Sequence, residues 1–313
     1  MGVSQMYYPY LRGKQFELIA LREMITNGTL TASIVPIIEP VKASSTLKTV
    51  LQLFGRESHS LAVIQNPQAT PYTPFANDEE VDELKQEPFF IPAVIGTSQE
   101  AVDTLGKYNS PNSMVVLPKT VHPELEWESQ PLNNALKVIA PDNRSFLRRS
   151  HGSRVVVLDD AFTKRPRNVD YANNEDEFFS ETHMYYSEDG YIGFSDYSVI
   201  GSEYIDSGYA PRAVAIHIVY FRADGQLRIR HFVSTTNDDI TNVAGKFAEA
   251  LEAFMQWYQS PEFNRDQNDS TALVEFKRMY DQQQYSGLGV VKKLSIEHHL
   301  EIMGRYLNER ADS

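Results

Sequence analysis

The chain contains no cysteine among its 313 residues. It therefore forms no disulfide bond, offers no thiolate to a metal and has no cysteine nucleophile, and this composition fits a reducing compartment. It also lacks any apolar run of the roughly 18–20 residues that a membrane-spanning helix requires, and its N-terminus lacks a basic region followed by an apolar one. We expect a cytoplasmic protein that makes no contact with a membrane.

Positive charge is scarce. Lys and Arg together number 29 against 42 Asp and Glu, which gives a net charge of −13. Sequence-independent binding to duplex nucleic acid depends on a cationic surface, so this balance argues against it, although a local basic cleft remains compatible with the composition.

Several short motifs of common enzymes are also missing. The chain has no Gly-x-x-x-x-Gly-Lys-Ser/Thr phosphate loop, no Gly-x-Gly-x-x-Gly after a strand, no Gly-x-Ser-x-Gly and no His-Glu-x-x-His. The familiar dinucleotide, nucleoside triphosphate, α/β-hydrolase and zinc-protease signatures are therefore excluded.

The segment Ile34–Lys42 shows what the chain does have. It begins with aliphatic, mostly β-branched residues, which is typical of a strand buried on both faces, and a carboxylate, Glu39, follows where the apolar run stops. The same arrangement recurs along the chain. Eight such strands are predicted: Tyr7–Leu11, Ile34–Glu39, Ser60–Ile64, Phe89–Ile95, Met114–Leu117, Val138–Ala140, Arg154–Leu158 and Tyr191–Phe194.

Most of these strands start 20–30 residues apart, with helical or loop stretches between them. Such spacing is typical of right-handed βαβ units and a parallel sheet. Eight units favour an α/β fold of the (β/α)8 TIM-like barrel type, with an open doubly wound sheet as the alternative. A polar helix is predicted at about Asn173–Tyr186.

An antiparallel hairpin is predicted at 213–234, after the eighth strand, because Asp224-Gly225 separates two strand-like runs. Amphipathic helices follow at Asp239–Gln259, Ser270–Gln284 and Ser295–Glu309. We expect residues 1–260 to form the barrel with its hairpin insertion, and 261–313 to form a helical extension packed on it.

Polar side chains follow nearly every predicted strand, and the carboxyl ends of barrel strands are where active sites lie. The expected catalytic carboxylates are Glu39, Asp159 and Asp196. Expected substrate-binding residues form a largely cationic wall suited to phosphate or carboxylate oxygens: Arg12, Lys14, Lys42, Asn66, Lys119, Arg148 and Tyr197.

Asp159 and Asp160 are candidate ligands for a divalent cation such as Mg²⁺ or Mn²⁺. The alternative is that the acidic and cationic walls neutralise each other as structural ion pairs. The histidines support no site: with a two-residue hairpin turn, His217 and His231 fall on opposite faces, and His298-His299 are predicted to lie at the surface of a helix.

Three segments resemble the "beta protein" family, which occurs in phages and in bacterial defence-type gene neighbourhoods. They are Tyr7–Glu17, Pro36–Pro40 and Gly193–Tyr197. The resemblance implies a context, anti-phage defence beside a nuclease-like partner, and no catalytic residues. Its matching positions include Arg12, Lys14, Glu39 and Asp196.

Two functions remain open at this point. The first is a defence-system protein that binds a phosphate-bearing ligand, a nucleotide or a nucleic-acid end, at the barrel mouth, with or without hydrolysing it. The second is a non-catalytic sensor or adaptor that uses the barrel as a scaffold and docks a nuclease-like or phage protein through the hairpin and the terminal helices.

Overall fold

The computed structural model describes residues 6–68, 75, 78–108, 110, 112–150, 154–204 and 212–311. Its strands are β1 Tyr10–Leu11, β2 Ile37–Ile38, β3 Leu61–Ile64, β4 Phe90–Ile95, β5 Met114–Leu117, β6 Leu136–Ile139, β7 Val155–Asp159, β8 Asp176–Ser180, β9 Gly193–Asp196, β10 Ala215–Phe221 and β11 Leu227–Val233. Its α-helices are α1 Gln15–Asn27, α2 Ser45–Arg56, α3 Glu79–Leu84, α4 Gln99–Asp103, α5 Gln130–Asn134, α6 Arg144–Arg149, α7 Thr182–Tyr185, α8 Val243–Tyr258, α9 Arg265–Asn268, α10 Thr271–Asp281 and α11 Leu288–Ala311. In this part of the chain no helix is both long and apolar enough to cross a membrane.

Eight parallel strands form a nearly closed barrel in the order β1-β2-β3-β4-β5-β6-β7-β9. Tyr7 joins the two ends of this sheet, because it forms parallel bridges with both Ile34 and Phe194. Most strand residues are aliphatic and buried, as parallel strands covered on both faces require. The predicted barrel is therefore confirmed, and each of its eight predicted strands overlaps an observed one.

A separate antiparallel sheet has the order β10-β11-β8. Its third strand corrects the sequence prediction, since part of the segment expected to be a helix at 173–186 is β8, followed by the short helix α7. The acidic start of β8 lies beside the basic residues of β11: Asp176 is the register partner of Arg230 and forms an ion pair with Arg228. These cross-strand partners come from far along the chain, so local pattern cannot reveal them.

The hairpin turn also differs from the prediction. Arg222 and Gln226 are paired, Gly225 has a φ of 84°, and three residues rather than two connect the strands. Shifting the register by one residue moves side chains to the other face. His217 consequently lies opposite His231, with their Nδ1 atoms 2.7 Å apart, so the prediction that these histidines face opposite sides is wrong.

The terminal helices enclose a second hydrophobic core. Apolar side chains of β10 and β11 pack there with α8, α10 and the start of α11. The rest of α11 packs on α1, beside the first barrel strand. Because α11 lies between the two cores, His298 and His299 are both fully buried, and the prediction that they lie at the surface is wrong.

Candidate functional site

A cavity of about 580 Å³ lies at the carboxyl ends of the barrel strands. Its walls come from the residues that end or follow each of the eight barrel strands. The polar and aromatic lining residues are Tyr10, Arg12, Glu39, Gln68, Lys119, Thr120, Asp142, Asp159, Asp160, Tyr197, Ser202, Glu203 and Tyr204. The position is the one expected for the active site of a β/α barrel.

Glu39 and Arg12 form a buried ion pair in this cavity. Glu39 is fully buried, and its carboxylate accepts hydrogen bonds from Arg12 Nη1, from the Tyr10 hydroxyl at 2.7 Å and from the Gln68 amide at 2.7 Å. The Arg12 guanidinium lies over the rings of Tyr10 and Tyr197, 5.2 and 5.5 Å from their centroids. The pair is thus held by aromatic contacts and neutral donors as well as by charge.

The close approach of the first two strand ends depends on a glycine. Gly13 has a φ of 62°, and a Cβ atom there would lie 3.0–3.2 Å from Ile38, Pro40 and the Glu39 carbonyl. A side chain at this position would push the segment that carries Arg12 away from Glu39. The sequence Arg12-Gly13 therefore suits the ion pair.

Asp159 ends β7 and lies partly buried in the wall of the cavity. Its carboxylate accepts hydrogen bonds from Thr182 Oγ1 at 3.0 Å and Ser180 Oγ at 3.3 Å. Burial raises the pKa of Asp159 above its ordinary value of 3.8, and the nearby charge of Asp196 adds to this, while the two hydroxyl groups act in the opposite direction. No lysine or arginine pairs with Asp159 in the part of the chain described above.

Asp196 lies next to Asp159, because the two residues are register partners on the neighbouring strands β7 and β9. It is buried, and its Oδ1 atom accepts hydrogen bonds from the Tyr7 hydroxyl at 2.6 Å and the Ser198 amide at 2.7 Å. Burial raises the pKa of Asp196 to about 6 in spite of these two donors. Asp196 therefore lies behind the cavity wall and influences the site through Asp159.

Asp160 is hydrogen-bonded to Ser202. Its carboxylate accepts hydrogen bonds from the amide of Ser202, at 3.0 Å, and from the hydroxyl of the same residue. Within the described ranges, no three carboxylate or imidazole groups lie close enough to hold a metal ion. The divalent cation predicted at Asp159 and Asp160 therefore has no support from the arrangement of these side chains.

The predicted cationic wall assembles only in part. Arg12 and Lys119 line the cavity, but Lys119 lies at the rim, 75% exposed, with its Nζ 2.9 Å from Asp142. Lys14 lies over the Tyr204 ring, 4.6 Å from its centroid. Lys42 and Arg148 are exposed and are not among the lining residues.

Asn66 has a different place from the one expected. Its side-chain amide donates to the Ile95 carbonyl at 2.7 Å and accepts from the Ile95 amide at 2.8 Å. It thus joins the end of β3 to the end of β4. Tyr197, by contrast, lines the cavity as expected, and burial raises the pKa of its hydroxyl.

Four contributing residues escaped the sequence analysis as site candidates: Tyr7, Tyr10, Gln68 and Ser202. The two tyrosines lie in the N-terminal strand segment, where every residue from Tyr7 to Leu11 is buried, so no alternation distinguishes them. Gln68 donates a hydrogen bond from its backbone amide to Glu39, and the backbone carbonyl of Ser202 accepts one from Arg12. Such backbone contacts do not depend on residue type, so the sequence does not reveal them.

The lining of the cavity is acidic. Its carboxylates are Glu39, Asp142, Asp159, Asp160 and Glu203, against the two cations Arg12 and Lys119. Glu39 and Asp142 are paired with these cations, and Glu203 lies 3.7 Å from Lys164. Asp159 and Asp160 are the lining carboxylates that form no ion pair with a described cation, although the charge of Asp160 acts on Lys119.

The strand-end residues Arg12, Glu39, Asp159 and Tyr197 thus meet in one cavity, with Asp196 directly behind it. Such a site can accept hydrogen bonds at fixed carboxylates and can exchange a proton at Asp159. Neither a scan against protein-family models nor a search of curated proteins finds a match to this chain.

Proposed function

We propose that the chain binds a small polar ligand at the carboxyl mouth of the barrel and hydrolyses it by general acid–base catalysis, with Asp159 as the group that exchanges the proton. The observation that carries this proposal is the state of Asp159. It lines the cavity, its pKa is raised by burial, and no described cation pairs with it. A cavity-lining carboxyl group whose pKa is raised by burial is a candidate for general acid–base catalysis.

The neighbouring residues would have distinct roles. Protonated Asp159 would give its proton to the leaving group of the ligand, and the resulting carboxylate would take a proton from the attacking water. The negative charge of Asp196 favours the protonated form of Asp159. Glu39, held by Arg12 and Tyr10, would accept a hydrogen bond from the bound ligand at a fixed position.

The charge of the cavity indicates the class of ligand. A phosphate group would meet the charge of Asp160, and that of Asp159 whenever it is ionised. Among the lining residues only Arg12 and Lys119 could balance the phosphate, and both already pair with carboxylates. We therefore propose a ligand without net negative charge, either rich in hydroxyl groups or cationic. The phosphate-bearing ligand expected from the sequence stays a prediction, and the nucleotides in the ligand screen below test it.

The adaptor hypothesis has less support from the described surface. Its large exposed apolar side chains are Phe178, Tyr185, Ile240 and Val274, which lie on or beside four different elements, and none belongs to β10 or β11. One edge of β11 is also covered by β8, so it is not free to extend a partner's sheet. The defence context and the nuclease-like partner follow from the resemblance alone and stay predictions.

A thermal-shift screen tests the proposal. Wild type, Asp159→Asn and Asp238→Asn would be screened with neutral oligosaccharides, amino sugars and polyamines, and with nucleotides in the presence and absence of Mg²⁺. Asp238 is exposed and does not line the cavity, so its variant controls for the loss of one charge. A ligand at 100 times its dissociation constant adds about 2.7 kcal/mol to the free energy of unfolding.

We expect at least one neutral or cationic compound to stabilise wild type and Asp238→Asn. Asp159→Asn should lose hydrolysis of that compound by about 10²–10⁴-fold, the usual contribution of a general acid or base. Stabilisation by nucleotides alone, or equal hydrolysis by wild type and Asp159→Asn, would contradict the proposal.

A further inference from the structure

Ser198 follows β9 in an unusual backbone conformation. Its φ is 48° and its side chain is fully buried. A residue other than glycine loses roughly 1–2 kcal/mol in the left-handed region, so the surrounding structure must hold it there. Two contacts do so: its amide donates to Asp196 Oδ1 at 2.7 Å, and its hydroxyl lies 3.0 Å from Nδ1 of His299.

His299 reaches this position from α11, the C-terminal helix. It is fully buried, and burial lowers its pKa to about 3, so its imidazole is neutral at physiological pH. Its Nε2 atom is buried and has no hydrogen-bond partner among the described residues. An unpaired buried polar atom costs about 1–3 kcal/mol, which an apolar residue of similar size would avoid. Packing alone therefore does not explain a histidine here.

The contact between His299 and Ser198 is linked to the cavity by the segment 197–204. This segment supplies Tyr197, Ser202, Glu203 and Tyr204 to the lining. Arg12 donates a hydrogen bond to the Ser202 carbonyl. The neighbouring His298 points the other way and bonds to Ser270 and to the Val219 carbonyl, at 2.8 and 2.7 Å. The two histidines thus connect the second core to the barrel mouth.

We infer that His299 is a positioning residue of the site: acting through Ser198, it fixes the Asp196 carboxyl beside Asp159 and holds the segment 197–204 against the cavity. The inference rests on the proposed function only where it treats that cavity as catalytic. The contacts among His299, Ser198 and Asp196 stand without it.

The test is the titration of the Asp196 carboxyl, followed by ¹³C NMR in protein labelled at aspartate. The variants are His299→Leu, Ser198→Ala and His299→Asn. Ser198→Ala keeps the amide that binds Asp196 but removes its link to α11. His299→Asn places an amide where Nδ1 of the imidazole lies, so it serves as the conservative control.

The Ser198 amide stabilises the ionised form of Asp196, so loosening it should raise the pKa of Asp196. We expect a rise of about 0.5–1 in His299→Leu and in Ser198→Ala, and the wild-type titration in His299→Asn. If His299→Leu does not fold, Ser198→Ala carries the test. A loss of thermal stability in all three variants with an unchanged Asp196 titration would overturn the inference and leave His299 a purely structural residue.

This readout needs no substrate, so it separates the inference from the proposed function. If the ligand screen fails while the Asp196 titration moves as expected, the positioning role stands and the hydrolase proposal falls. If a hydrolysed compound is found while the Asp196 titration is unchanged, the hydrolase proposal stands and the positioning role of His299 falls.

Discussion

Replacing Arg12 with methionine should lower the free energy of unfolding by about 3–5 kcal/mol. The substitution keeps much of the side-chain volume but leaves the fully buried Glu39 carboxylate without its cation. The Tyr10 hydroxyl and the Gln68 amide would still donate to Glu39. Two neutral donors do not replace a guanidinium, because a buried charge without a counter-charge is strongly disfavoured. Urea unfolding followed by circular dichroism measures the effect.

Two controls make this prediction specific to burial. Arg167→Met breaks an ion pair with Asp170 in which the arginine is 74% exposed, and it should cost far less because solvent screens the pair. Adding Glu39→Gln to Arg12→Met removes the carboxylate charge that Arg12 balances in wild type and should recover part of the loss. If the free energy of unfolding of the single variant Arg12→Met were within about 1 kcal/mol of the wild-type value, Glu39 would be solvated and its ion pair with Arg12 would not organise the cavity.

Asp196→Asn should become more stable relative to wild type as the pH rises. The pKa of Asp196 is about 6 in the folded chain against 3.8 for an ordinary aspartate, because burial disfavours its charge. The wild type therefore has the full contribution of protonated Asp196 below pH 3.8 and loses it as the pH rises through 6. The difference corresponds to about 3 kcal/mol, and asparagine, which cannot ionise, escapes the loss.

The measurement is the free energy of unfolding of both proteins between pH 4 and pH 8. Glu297 contributes in the same direction over a different range, since burial raises its pKa to about 8 from 4.5. Its environment includes Lys293 and Glu23, and Glu297→Gln separates its share from that of Asp196. A constant difference between wild type and Asp196→Asn at every pH would mean that Asp196 ionises as freely in the folded chain as in the unfolded one.

The barrel could be predicted because its signal is local. Apolar β-branched runs, polar residues at their ends and regular spacing suffice for parallel strands buried on both faces. Helix capping is an equally local signal: Gly28, with a φ of 70°, ends α1, and the side chains of Ser44 and Ser98 accept hydrogen bonds at the starts of α2 and α4. These features depend on a few neighbouring residues.

The convergence of Arg12, Glu39 and Asp159 was predictable for the same reason, because parallel strands bring their carboxyl ends to one rim. The positions of the other cationic side chains were not predictable in this way. Lys119, Lys42 and Arg148 lie two, four and nine residues beyond the ends of β5, β2 and β6. The loops after β5 and β2, and the helix α6 in the case of Arg148, decide which way each side chain points. The predicted hairpin register was wrong by a single residue of turn length, and the observed register places His217 and His231 on the same face.

Contacts between residues that are distant in sequence could not be predicted from local sequence patterns. Asp176 favours a strand because it meets Arg228 and Arg230, some fifty residues later in the chain. His299 is buried because it packs against Tyr7, Phe179 and Ser198, which come from distant parts of the chain. In both cases a polar segment that suggests a surface helix is stabilised by tertiary contacts.

The most direct measurement is the pH titration of the Asp159 side-chain carboxyl by ¹³C NMR, in wild type and in Asp196→Asn. We expect a pKa above 3.8 in wild type, because the group is buried and no described cation pairs with it. In Asp196→Asn that pKa should fall toward 3.8, since the neighbouring negative charge is gone. A wild-type pKa at or below 3.8 would show that Asp159 is fully ionised and well solvated, and that it cannot serve as the acid of the proposed site.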